Sequence, residues 1–206
     1  MIYTERELLA LELSVKSRIS EKRFNHTLGV VRFAKILAEK ILPDKVTEIV
    51  AAAYLHDIAK EIAPEELKSM VLQIPALSKE DIDTPPAYHA FVAPLIVERD
   101  FPDFATEDIK SALFNHTLGA DDMSVFDRII FVSDFVEEGR RYQRCIDARG
   151  ELLLSLANSR TQKEALHALN AAVASVAERT CDALTEMGVK INVRTLLTKN
   201  AFSALN

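Results

Sequence analysis

Six residues carry the chemistry this sequence offers: His26, the adjacent pair His56-Asp57, His89, His116 and Asp134. In the stretch Ala53-Tyr54-Leu55-His56-Asp57-Ile58-Ala59-Lys60, the stripe Val46, Ile49, Val50, Ala53 and Asp57 runs in steps of three and four. That puts a carboxylate on the face that a globular helix keeps apolar. An unpaired buried carboxylate is costly and needs a cation, a dense set of hydrogen bonds or a raised pKa. A neighbouring imidazole makes a metal ion the first candidate. The other histidines repeat the pattern, His26 with Val30, Phe33 and Leu37, His89 with Val92, Ala93 and Ile96, and His116 with Ile109, Ala112 and Leu113. Asp134 lies among Ile130, Val132 and Phe135 in a run that is apolar almost all round.

Taken singly, each histidine is more often a neutral core residue bonded to a carbonyl. Four imidazoles and two carboxylates inside one helical core reverse that reading, because a common cation satisfies every burial at once. Nitrogen and oxygen donors without thiolate suit iron, manganese, zinc, cobalt or nickel. Six ligands exceed what one tetrahedral zinc needs, so two transition-metal ions sharing a bridging carboxylate are expected. His167 lies in an Ala-rich stretch beside Asn170 and Glu164, with no partner pattern, and is expected at the surface. Three cations sit near the ligands: Arg23 one turn before His26, Lys60 one turn after His56, and Arg140 six residues beyond Asp134. Phosphate oxygens are their natural partners, and arginine binds them bidentately.

The elements that must position these residues are helices. With only 5 Gly and 7 Pro in 206 residues and 49% hydrophobic content, the class expected is all-α, in a chain able to bury a substantial core. A first amphipathic helix is expected from Glu5 to about Ile19, and a second from Glu21 to Leu42 behind an N-cap at Ser20, stopped by Pro43. Asp44 is expected to cap the helix carrying His56-Asp57, and Pro64 to open the next. The stretch from Gln73 to Pro86 holds three prolines and reads as a mobile loop able to gate a pocket. Further helices are expected from Ala87, from Thr106, from Val125 to Val136 behind a Ser124/Asp127 capping box with Gly139 as its end, from Gly150 to Ser159, and from Thr161 to Met187. Residues 188–206 read as a tail or one short helix, and one domain is expected over 1–206.

A net charge of −6 gives no general attraction for nucleic acid or an anionic membrane. Cys145 and Cys181 form neither a zinc knuckle nor a disulfide framework, and no apolar run approaches membrane-spanning length. A cytoplasmic location with reduced thiols is the expectation.

The ordered set His26, His56-Asp57, His89, His116 and Asp134 resembles the HD-domain metal-dependent phosphohydrolase superfamily. Arg23-x-x-His26-Thr-Leu-Gly-Val30, Leu55-His56-Asp57-Ile-Ala-Lys60, Tyr88-His89-Ala90, Asn115-His116-Thr117 and Asp134-Phe-Val-Glu-x-Gly-Arg140 are similar, more closely, to the bacterial YqeK family. The likeness spans about residues 18–187. It implies an all-α HD-domain helical bundle with additional C-terminal helices, which binds iron and hydrolyses diadenosine tetraphosphate symmetrically into two ADP. It further implies His26, His56, Asp57 and Asp134 around one metal, and His89, His116 and Asp57 around a second. Asp57, Lys60, Arg23 and Arg140 would then serve catalysis, and Arg23, Lys60, Thr117 and Arg140 would contact substrate. The implied partner is a dinucleoside polyphosphate or another nucleotide, with no nucleic acid polymer and no membrane, and a homodimer stays open. Ser133, Glu138 and Ala93-Pro94 depart from the family pattern without removing a ligand, so pocket shape is what they touch. Competing readings are an HD phosphohydrolase for a nucleoside triphosphate or cyclic dinucleotide, a metal and nucleotide sensor without turnover, and a plain helical domain.

Overall fold

The computed structural model describes residues 3–204; Met1, Ile2, Leu205 and Asn206, the ends of the expected 1–206 span, lie outside the described residues. Among the described residues the secondary structure is helical, with no strand. Helix α1 (Glu5–Lys16) starts at Thr4, which forms a capping box with Glu7. Its Leu11 and Val15 face the core, whereas Leu9 and Leu13 are exposed, so the buried arc is narrower than the leucine pattern suggests. Helix α2 (Glu21–Ile41) is capped by Ser20, whose hydroxyl accepts the Arg23 N–H.

Helix α3 (Val46–Leu55) is buried on nearly every side, from Glu48 to Leu55. Asp44 does not cap it. Pro43 starts a 3-10 turn that takes in Asp44 and Lys45, so the helix begins at Val46 without a side-chain cap. The helix also stops one residue before the His56-Asp57 pair: His56 is its C-cap, and Asp57 to Lys60 form a turn. The carboxylate does point inward, yet the turn places it there and not the helical register.

Helix α4 (Pro64–Val71) begins with proline, where the missing N–H costs nothing. Helices α5 (Lys79–Ile82), α6 (Tyr88–Asp100) and α7 (Glu107–Asn115, capped by Thr106) follow. Helix α8 (Val125–Val136) starts from the Ser124/Asp127 box, with the shorter aspartate doing the work of the usual glutamate. It ends at Val136, not at Gly139, because Glu137 is extended. Helix α9 (Gln143–Asn158) opens well before Gly150, which sits within the helix where a Cβ would meet nothing. Helix α10 (Gln162–Glu186) starts from a Thr161/Glu164 capping box and closes at Gly188 with φ +66°. Helix α11 (Val193–Ser203) is capped by Asn192.

Helix α8 packs against α2, α7 and α10, α2 packs on α3, and α6 on α7. Fully buried Leu37, Ile49, Leu55, Phe91, Ile109, Leu113, Ile129 and Ile130 come from all five helices that supply the chemical residues. The Ala and Val face of α10 seals the far side through Ala165, Ala168, Leu169, Ala172, Val173 and Val176.

The stretch 73–86 is not a free flap. Arg194 of α11 donates to both oxygens of the buried Asp81 carboxylate, from Nε at 2.9 Å and Nη2 at 3.2 Å. Asn192 Nδ2 adds a bond to Thr84 Oγ1 at 3.0 Å. Three prolines signal an irregular backbone, and the C-terminal segment supplies the bonds that hold it still. Arg194→Ala should therefore destabilise the protein by about 2 kcal/mol in urea denaturation, because the buried Asp81 carboxylate loses its charged partner and keeps only Ser78 and Asn192; a change below about 0.5 kcal/mol, the level of an ordinary surface substitution, would contradict that anchoring role.

Candidate metal centre

The five central helices deliver the six residues to one place. Helix α2 carries His26 in its second turn, α6 brings His89 in its first, and α8 presents Asp134 near its end. His56 and His116 are the C-caps of α3 and α7. Each of these two places Nδ1 on the carbonyl three residues back, His56 on Ala53 O at 2.8 Å and His116 on Leu113 O at 2.7 Å. A carbonyl only accepts, so Nδ1 carries the proton and Nε2 turns an unprotonated lone pair into the core.

Two trios result: His26, His56 and Asp134, and Asp57, His89 and His116, each with its ligand atoms within 4.8 Å of one another. Asp57 joins them. Its Oδ2 lies 3.8 Å from His26 Nε2 and 3.6 Å from His56 Nε2, while Oδ1 lies 3.4 Å from His89 Nε2 and 3.8 Å from His116 Nε2. One carboxylate thus turns one oxygen to each histidine pair. Asp134 Oδ1 is 2.9 Å from His26 Nε2 and 3.8 Å from His56 Nε2. Within the pairs, Nε2 faces Nε2 at 3.3 Å for His26 and His56 and at 3.1 Å for His89 and His116. Facing lone pairs at that separation need a proton or a cation between them, so the donor set fits divalent metal ions.

The cations anticipated from the sequence all reach this cluster. Arg23 Nη1 donates to Asp57 Oδ2 at 2.7 Å, and Arg140 Nη2 donates to Asp134 Oδ1 at 2.7 Å. Lys60 Nζ stands 3.0 Å from His89 Nε2, and Thr117 Oγ1 stands 3.1 Å from the same nitrogen. His167 is exposed on α10, as expected.

The imidazoles are held in different protonation states. Burial alone pulls His26 down, but its bonds to Asp134 and Glu137 outweigh that and raise its pKa to about 9. Burial, reinforced by the neighbouring His56, lowers His116 to about 4, and burial also lowers His56. Metal-free protein at neutral pH therefore keeps His26 protonated. The stabilisation from that imidazolium is complete below its unfolded pKa and is lost as pH rises through about 9. A metal bound at His26 would have to displace this proton, so calorimetric titration at pH 7.5 in buffers of different ionisation enthalpy should show about one proton released per His26 site filled. Uptake of no proton difference between buffers would contradict it.

A family model of the HD domain matches residues 23–139, more than half of the chain and the whole run from Arg23 past Asp134. The chain belongs to the HD domain family. Its relatives include the symmetrical bis(5'-nucleosyl)-tetraphosphatase of Bacillus subtilis (strain 168), 34% identical over 129 residues, which span 62% of this chain and 68% of the relative. The symmetrical bis(5'-nucleosyl)-tetraphosphatase of Halalkalibacterium halodurans is 32% identical over 162 residues, 74% of this chain and 84% of the relative. A protein from Clostridium acetobutylicum described as a predicted HD superfamily hydrolase involved in NAD metabolism has the same fold, with a TM-score of 0.77 over 100% of both chains at 22% identity. HD domain proteins bind divalent metals, and the two trios provide donors of that kind.

Glu137 is the residue of this HD domain that periodicity did not single out. Its buried carboxylate accepts from His26 Nδ1 at 3.1 Å and from the Gly139 N–H at 2.5 Å. It thereby orients His26, as a carboxylate behind a metal-binding imidazole does. Gly29 of α2 lies against it, and a Cβ there would collide with Glu137 Oε2. The available signal was the Asp134-x-x-Glu137 spacing together with a glycine on the facing helix.

Proposed function

We propose that this HD domain hydrolyses diadenosine tetraphosphate at its central phosphoanhydride and releases two ADP. The observation that carries the reading is the Asp57 carboxylate with one oxygen toward each histidine pair, a frame for two cations side by side. Relatives that bear this activity in their names, at 32% and 34% identity, supply the substrate.

His26, His56 and Asp134 would hold one divalent metal, His89 and His116 the other, with Asp57 shared. Iron is our first choice, and manganese, cobalt, nickel or zinc suit the same donors. Bound there, two metals supply a water acidic enough to attack at neutral pH and a clamp on phosphate oxygens. The remaining work belongs to the chain. His56 and His116 keep their Nε2 lone pairs fixed through the carbonyl bonds at Nδ1, and Glu137 fixes His26. Arg23 and Arg140 border both the carboxylates and open solvent, where their guanidinium groups meet phosphoryl oxygens bidentately. Lys60 and Thr117, beside His89, present an ammonium and a hydroxyl to the charge that develops as the water oxygen bonds to phosphorus and the P–O–P bridge breaks. The leaving group is ADP, already a tolerable anion, so little protonation is needed. The two buried free thiols, Cys145 and Cys181, accord with a reducing cytoplasm.

A substrate panel tests the reading. Metal-loaded protein should turn over diadenosine tetraphosphate at least about 100-fold better, in kcat/KM, than ATP or a cyclic dinucleotide, since the full set of contacts is used only by the two-sided substrate. Preference for either of the others would replace this function with another HD hydrolase activity, and tight nucleotide binding without any product would make the protein a sensor.

A further inference from the structure

A cavity of about 610 Å³ opens directly from His26, Arg23 and Arg140, between the start of α2 and the segment that joins α8 to α9. That volume is in the range of small-molecule sites. Its outer wall carries Lys22, Arg141 and Tyr142. Among the described residues, neither Lys22 nor Arg141 has an ion-pair partner, whereas Arg23 and Arg140 are already engaged with Asp57 and Asp134. Tyr142 is 73% exposed, lines the cavity and, among the described residues, packs on no other aromatic ring. Helix α9 begins at this point with no acidic residue in its first turn, and the two carboxylates that line the cavity are already engaged, Glu61 by Ser20 and Glu137 by His26 and the Gly139 N–H.

Cleavage at the centre of a symmetrical substrate leaves one nucleoside diphosphate on each side of the reacting bond, so each half needs its own berth. We propose that this cavity seats one ADP half, with Tyr142 stacking on the base and Lys22 and Arg141 meeting the phosphates that lie beyond the metal cluster. The inference rests on the function proposed above and assigns three residues to it that the family motifs do not include. Half-buried Arg23 and Arg140 and exposed Lys22, Arg141 and Tyr142 line one cavity with His26, a combination that suits a polyphosphate leading out to a base.

The test is ADP titration of metal-loaded protein by calorimetry, with steady-state kinetics on diadenosine tetraphosphate, for wild type, Tyr142→Ala and Tyr142→Phe. Tyr142 is exposed, so the alanine variant should fold. Stacking predicts about tenfold weaker ADP binding at one site and about a tenfold higher KM in Tyr142→Ala, with kcat within about twofold and Tyr142→Phe close to wild type. Lys22→Ala with Arg141→Ala should flatten the salt dependence of KM. Wild-type ADP affinity and KM in Tyr142→Ala would overturn the subsite while leaving the hydrolase intact. ADP binding that depends on Tyr142, alongside products other than ADP, would keep the subsite and overturn the symmetrical cleavage. Wild type that binds no ADP would overturn both.

Discussion

Asp57→Ala should lower kcat/KM for diadenosine tetraphosphate on the order of 10³-fold or more, because the metals we propose it shares would supply several kcal/mol of transition-state stabilisation. The expectation follows from where its two oxygens point. Oδ2 serves the His26 and His56 side at 3.8 and 3.6 Å, and Oδ1 serves His89 and His116 at 3.4 and 3.8 Å. Removing the carboxylate withdraws a donor from both sides at once and frees Arg23, whose guanidinium is held at 2.7 Å by Oδ2. An unpaired arginine beside two imidazole pairs further repels a cation. The Nε2 of His116 faces only the second side, toward His89 and Asp57 Oδ1, so His116→Ala should weaken one ion and leave the other. Elemental analysis of both variants after gel filtration separates the cases. Equal and mild metal loss from the two substitutions would argue against a shared carboxylate.

Removing the metal should cost the fold about as much as it costs the chemistry. An ion present at 1,000 times its dissociation constant stabilises by about 4 kcal/mol, which in a domain of this size corresponds to a fall in Tm of roughly 10 °C on chelation. The physical reason is the facing Nε2 atoms at 3.1 and 3.3 Å and the carboxylates that converge on them. Arg23 and Arg140 relieve the carboxylates, and Lys60, Thr117 and the proton on His26 reach some of the imidazole nitrogens, so together they offset only part of the loss. Calorimetric melting with and without chelator, followed by readdition of iron or manganese, measures it. An unchanged Tm would favour a helical domain whose buried polar groups satisfy one another.

His26, His89, His116 and Asp134 stood out as candidates because each falls among apolar residues at helical spacing, where several polar side chains together are unusual. Helix starts were legible where a hydroxyl or proline announced them, at Ser20, Pro64, Ser124 and Thr161. Periodicity failed where the backbone leaves the helix. Asp57 faces inward from a turn, and Glu137 is aimed at His26 by an extended residue just past Val136, so neither position follows from a 3.6-residue repeat. The start of α9 was lost because Tyr142 provides no side-chain cap. The anchoring of residues 73–86 depends on Asn192 and Arg194, more than a hundred positions away, and a long-range pairing of that kind leaves no local trace in composition.

Chromatographic product analysis of diadenosine tetraphosphate hydrolysis by metal-loaded protein tests the central claim most directly. The account predicts ADP as the sole nucleotide product, formed at two molecules per substrate consumed and abolished by Asp57→Ala. ATP and AMP in equal amounts would contradict it, because they would mean attack away from the central bridge.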